Sequence, residues 1–142
     1  FDENDNTIFA RRNRISLTNT IQGKYTLNNK MNINLLARHY WSYVTNKRYL
    51  TLLDNGTFED NFAFTDNLNQ NFNTWNLDLS YSWWFAPGSQ MSVMYRNSSS
   101  LFSREFERTF NTNLKDAIDN NNLNHTFSIS LRYFIDYNSL KK

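Results

Sequence analysis

Cysteine is absent from the 142 residues, which excludes a disulfide framework and thiolate chemistry. Three glycines are too few for a phosphate-cradling glycine loop, and there is one proline, Pro87. No stretch approaches the ~20 consecutive apolar residues of a membrane-crossing helix. With a mean hydropathy of -0.71, a helical membrane protein is excluded. An excess of one charge is also missing: 15 Lys and Arg against 13 Asp and Glu leave +2, too little to argue for a nucleic-acid partner. The two histidines, His39 and His125, come without cysteine or a close carboxylate cluster, so no metal site is expected. Glu105 and Glu107 stand two apart and would not face each other on a helix. No nucleophile–base arrangement or acid–base pair is recognisable. Neither an enzymatic activity nor a cofactor is expected.

What is present points elsewhere. Aromatic residues make up 17% of a chain that is otherwise polar. A transmembrane β-barrel gives this combination, because lipid-facing and lumen-facing residues alternate and cancel on average. Asparagine is also abundant, much of it between apolar stretches, where it suits turns; a plain compositional bias is the alternative. The chain opens at Phe1 with neither an initiator Met nor a signal-peptide pattern, and reads as a piece of something longer.

Period-two alternation is the strongest signal. From Phe127, the odd positions Phe127, Ile129, Leu131, Tyr133, Ile135 and Tyr137 are apolar or aromatic, and the intervening residues are polar except Phe134. The same parity recurs in Trp75, Leu77, Leu79, Tyr81, Trp83 and Phe85, and again around Met91, Val93 and Tyr95. Between the last two runs, Pro87 presets φ and Gly88 accepts φ > 0, the pairing of a type II turn and hence of a hairpin. Upstream, Arg14 to Leu27 and Met31 to Val44 alternate in the same phase, and a weaker run covers Tyr49 to Phe58. The expectation is an all-β, antiparallel transmembrane barrel segment of about six strands. Six cannot close a barrel of at least ~8, so the remaining strands must come from the parent chain.

With the last strand running inward, 98–124 becomes a long external loop, Ala86 to Ser89 a tight periplasmic turn, and Glu59 to Asn71 a second external loop. Thr45 to Arg48 becomes a short periplasmic turn. Only Asn28 to Lys30 breaks the rule, being short where an external loop is due. On this scheme Trp83, Phe85, Trp41 and Tyr43 form a periplasmic girdle of rings, with Trp75, Tyr25 and Tyr95 in the outer one. Within 98–124, Phe106, Phe110, Leu114 and Ile118 recur every four residues among charges, a short amphipathic helix pattern. Such a helix could fold over the barrel mouth, or the segment could be an ordinary ordered loop.

Trp83 to Ser89 (WWFAPGS), together with the ending Ser130 to Tyr137 (SLRYFIDY), resembles a Bacteroidota outer-membrane family. Its members join an N-terminal domain similar to carbohydrate-binding family nine to a C-terminal barrel of unassigned function. His39-Tyr40-Trp41-Ser42, Tyr49 and Asp54-Asn55-Gly56 resemble the same family. The likeness spans roughly residues 38 to 137. It implies that residues 1–142 are the C-terminal part of the barrel, with the carbohydrate-binding domain upstream, and it implies no catalytic residues.

The odd-position rings and aliphatics are thus expected to face lipid. The even positions Arg14, Lys24, Arg38, Asp78, Arg96, Arg132 and Asp136 are expected to face the lumen, most simply as a solvated face balanced by its neighbours; the alternatives are that they attract anions or pair with a plug or with acids on missing strands. The expected partners are the bilayer, the remaining strands and other envelope proteins, and the expected location is the outer membrane of a Gram-negative cell. The function implied is a pore, scaffold or subunit of an envelope complex, with a link to carbohydrate handling. The alternative is a soluble antiparallel sandwich that binds carbohydrate through exposed aromatics, which would bury its apolar face against a second sheet.

Overall fold

The computed structural model describes residues 7–105, 107–119 and 123–136. They form one antiparallel sheet and one helix. In chain order these are β1 (Ile8–Asn28), β2 (Met31–Leu52), β3 (Phe58–Asp60), β4 (Gln70–Ala86), β5 (Ser89–Ser103), α1 (Phe110–Ile118) and β6 (Asn124–Arg132). The sheet runs β1-β2-β4-β5-β6, with β3 paired onto the end of β2. It is not closed: β1 and β6 are its two edges.

Six strands are found, but not the six read from the alternation. β2 does not stop at Val44. Thr45 to Arg48, expected as a turn, continues the strand and pairs with Arg11 to Asn13 of β1, leaving Lys47 as an extra residue where the register shifts. Such a bulge absorbs one residue and re-phases the strand beyond it. The expected strand Tyr49 to Phe58 is instead the end of β2, a turn with Gly56 at φ 78, and the short β3. Asn55 shapes this turn, its side chain accepting the Thr57 amide at 3.0 Å.

This correction also removes the one exception to the loop rule. β1 and β2 meet in a short turn where the Asn28 side chain accepts the Lys30 amide at 2.8 Å. That turn now lies at the same end of the sheet as the β4–β5 turn, and both long connections lie at the other end. Gly88 has φ 73, as the Pro-Gly pair predicts, and a Cβ there would lie 2.8 Å from Phe134 Cβ. The position therefore requires glycine twice over, for its backbone and for the close approach.

The strand expected through Tyr137 ends at Arg132, and residues 133–136 leave regular structure. There the Phe134 amide donates to Ser89 Oγ at 3.0 Å and the ring of Tyr133 stacks on Phe85. Tyr137 and Phe106 lie outside the described residues. β5 runs on to Ser103, so the connection expected from residue 98 begins six residues later. The helix pattern falls on α1, from Phe110 to Ile118.

Candidate functional site

Side chains alternate between the faces of a strand, and the register aligns the alternation across the whole sheet. Between the bulge and the two tight turns, odd residues pair with odd and even with even in every ladder. One row across the five long strands reads Tyr25, Ile33, Tyr81, Val93, Ile129, and the row on one side of it Met31, Trp83, Met91, Leu131. On its other side comes Gly23, Leu35, Leu79, Tyr95, Phe127. A neighbouring even row reads Thr26, Asn32, Ser82, Ser92, Ser130. The odd face is most open on the edge strands, where Tyr25 is 67% exposed, Ile129 64% and Leu131 67%, and is half-buried between them, at Ile33, Tyr81 and Val93. A contiguous apolar surface of this extent needs a partner phase.

Toward the long connections the odd face changes character. The next rows bring Asn19, His39, Trp75 and Ser99, then Leu17, Trp41, Asn73 and Leu101, then Ile15, Tyr43, Asn71 and Ser103. Helix α1 lies on this part of the sheet, against β4 and β5. Its Asn113 is the fastener. Asn71 Nδ2 donates to Asn113 Oδ1 at 3.2 Å, Asn73 Nδ2 to the Asn113 carbonyl, and Ser99 Oγ to the Ala117 carbonyl. The Asn113 amide group in turn donates to the carbonyls of Thr109 and Glu107 at 3.0 and 3.3 Å.

Beneath the helix, Trp41 Nε1 donates to Asn71 Oδ1 at 2.8 Å. Because Asn73 spends its amide on Asn113, its Oδ1 must accept, which puts the proton of His39 on Nε2 at 2.8 Å. His39 Nδ1 is then a buried acceptor with no described partner, under the ring of Phe110. At the helix start the Glu107 carboxylate accepts hydrogen bonds from Thr109, which hold its pKa below the usual carboxylate value.

The even face carries most of the charge. Arg96 Nε and Nη2 fork onto both oxygens of Asp78, at 2.6 and 3.0 Å. Nearer the long connections, Arg14 donates from Nε to Ser42 Oγ at 3.2 Å and from Nη2 to Tyr40 Oη at 3.1 Å. Among the described residues, no group of three or more His, Asp or Glu is placed to hold a metal ion.

Of the residues expected on the apolar side, Tyr25, Leu77, Leu79, Tyr81, Trp83, Tyr95, Phe127, Ile129 and Leu131 share the odd face. Phe85 sits in the irregular end of β4 with its ring against Trp83 and Tyr133, while Tyr133 and Ile135 lie past the last strand, both exposed. Three girdle residues change ends because β2 is unbroken, and Tyr95, expected in the outer girdle, lies midway along the sheet opposite Leu79. Trp41 and Tyr43 sit at the long-connection end with Trp75, and Tyr25 sits at the turn end beside Tyr81 and Trp83. Trp41, expected to be lipid-facing, is only 5% exposed. His39, on the same face as Trp41, is likewise buried. The helix lies flat on the odd face rather than across the end of the sheet.

Arg14, Lys24, Arg38, Asp78, Arg96 and Arg132 share the even face; Asp136 lies beyond β6. The reading missed the polar patch of Asn71, Asn73, Asn97 and Ser99. Its signal was available: polar residues occupying odd positions in otherwise alternating strands. It also missed Phe72 and Phe102, which partner each other on the even face.

A family model described as a domain of unknown function (DUF5916) matches residues 1–142, and the chain belongs to that family. No curated protein and no solved structure matches it.

Proposed function

We propose that this member of a family of unknown function is a wall segment of an outer-membrane β-barrel, serving as a pore or scaffold in the envelope rather than as an enzyme. One observation carries the reading: apolar rows run across β1, β2, β4, β5 and β6, exposed on β1 and β6 and half-buried on the strands between, while the opposite face of the same strands is mostly polar. A half-buried soluble sheet alternates likewise, but it covers its apolar face, and here the described chain forms one sheet whose only cover is a nine-residue helix at one end. Strands of 15 to 22 residues, against ~5–6 in soluble sheets, also suit a wall that spans a bilayer and projects beyond it. Short turns at one end and long connections at the other agree with periplasmic and external sides. From Trp75 to Phe85, ten residues at ~3.3 Å and ~45° tilt rise about 23 Å, close to the ~25 Å apolar band of such barrels. The open edges of β1 and β6 would be closed by further strands of the parent protein. The resemblance to proteins with a carbohydrate-binding domain upstream adds a link to carbohydrate handling.

The chain lacks cysteine, so single-cysteine variants of the parent report on each face, judged against the parent's own background. Ser128→Cys and Ile129→Cys are neighbours on β6 with opposite parity. In membranes, a lipid-soluble maleimide is expected to label Ile129→Cys, and a charged, impermeant maleimide only Ser128→Cys. Equal labelling of both by the charged reagent, or recovery of the parent without detergent, would end the reading.

A further inference from the structure

Midway along the even face the cation has its anion, since Arg96 grips Asp78. Toward the long connections that balance is lost. Arg12 and Arg14 line a groove of about 340 Å³ with Ser42, Gln70, Phe72 and Phe102. It adjoins a second, of about 430 Å³, that shares Arg12, Gln70 and Phe102 and adds Arg104. Both volumes fall within the ~300–1,000 Å³ of small-molecule sites. No Asp or Glu is among the residues lining either groove.

Two features of this groove are specific. The first is a guanidinium held in place: Arg14 spends Nε on Ser42 and one Nη2 hydrogen on Tyr40, and Tyr40 Oη is itself positioned over Ser16 Oγ at 3.5 Å. Nη1 and the second Nη2 hydrogen make no described bond, and together they form a fork that suits a carboxylate. The second is a pair of rings on the mostly polar face, in a groove also lined by Val44. Phe72 and Phe102 stand opposite each other across β4 and β5, 38% and 62% exposed. Phe72 already meets the Tyr40 ring edge-on, whereas Phe102 offers a largely open face and no hydrogen bond, so a ligand seated on it must bring an apolar surface.

We infer that this groove binds a small organic carboxylate with a flat apolar body, its carboxylate on Arg14 and Arg12 and its body on Phe72 and Phe102. The inference goes beyond the membrane reading and does not depend on it, because the groove is built from the chain's own residues. Free phosphate would satisfy the arginines but leave the rings unused, and an acid from an adjoining strand would fill the site permanently.

The test is a calorimetric titration of the full-length parent protein with benzoate, against acetate, inorganic phosphate and benzyl alcohol. Benzoate is expected to bind at least about tenfold more tightly than each of the three. Arg14→Gln should weaken benzoate about tenfold and Phe102→Ala about three- to tenfold, with Arg132→Gln at the far end of the same face unchanged. Should Arg14→Gln not fold, Arg12→Gln and the exposed Phe102→Ala carry the test. Benzoate binding no more tightly than acetate or phosphate, no binding at all, or equal affinity in the arginine and phenylalanine variants, overturns the inference.

Discussion

The odd face of this sheet is two surfaces laid end to end. At the turn end it is bare and apolar, row after row of Tyr, Ile, Leu, Val and Met. At the long-connection end the same parity presents Asn71, Asn73, Asn97, Ser99 and His39, all buried. The difference lies in what covers each. The belt has no helix over it among the described residues. The second surface is covered by a helix whose own carbonyls and Asn113 demand hydrogen-bond partners, and a buried polar group must be paired. Parity thus names the face, while the covering partner decides whether that face is apolar or polar.

Placing a charge in the belt should break the comparison most severely. On the membrane reading, Leu79→Arg is expected to cost ~2–4 kcal/mol of folding stability, since arginine on the lipid side is most costly near the midplane. Ser80→Arg, one residue away on the even face, should cost far less. Urea unfolding of the parent in lipid vesicles measures both, and equal costs would erase the distinction between the faces.

Next in size is the helix fastener. Asn113→Ala strands the buried Asn71 amide, at about 1–3 kcal/mol. The loss is expected to be local. Proteolysis within 104–123 should accelerate while the strands remain protected, and a uniform drop in strand protection would mean that α1 is part of the core rather than a cover. Trp41→Phe removes the indole bond to Asn71 while keeping an aromatic ring, and should cost about 1 kcal/mol in the same assay.

The smallest effect concerns pH. Because the folded-state pKa of Glu107 is lowered, its contribution is present above the ordinary carboxylate value and is lost as pH falls through the lowered one. Hydrogen exchange of the first α1 amides should therefore quicken in acid, beyond the intrinsic dependence, and Glu107→Gln should abolish the excess. The belt, which has no carboxylate or histidine in its apolar rows, should show no such change.

Much of this was legible in the sequence. The alternation assigned the faces of five strands, Pro87-Gly88 fixed the hairpin, and the four-residue spacing marked the helix. What stayed hidden had physical causes. Thr45 to Arg48 looks like a turn because it is polar, yet its residues lie where β2 has outrun the apolar band, and polar residues there need only pair with β1. The helix showed its period but not its resting place, since that depends on asparagines which, taken singly, resemble turn formers. Phe72 and Phe102 were invisible as a pair because only the register brings them opposite each other.

The unbroken β2 has one more consequence, which is a matter of counting. With β3 reduced to three residues, the chain crosses the sheet five times rather than six. It enters β1 from the side of the long connections and leaves β6 on the side of the turns. An odd number of crossings carries a polypeptide from one side to the other. Bacterial single-chain barrels have an even strand number of at least ~8. On the membrane reading, strands outside residues 1–142 would therefore have to supply an odd number of crossings, three or more, to close the barrel.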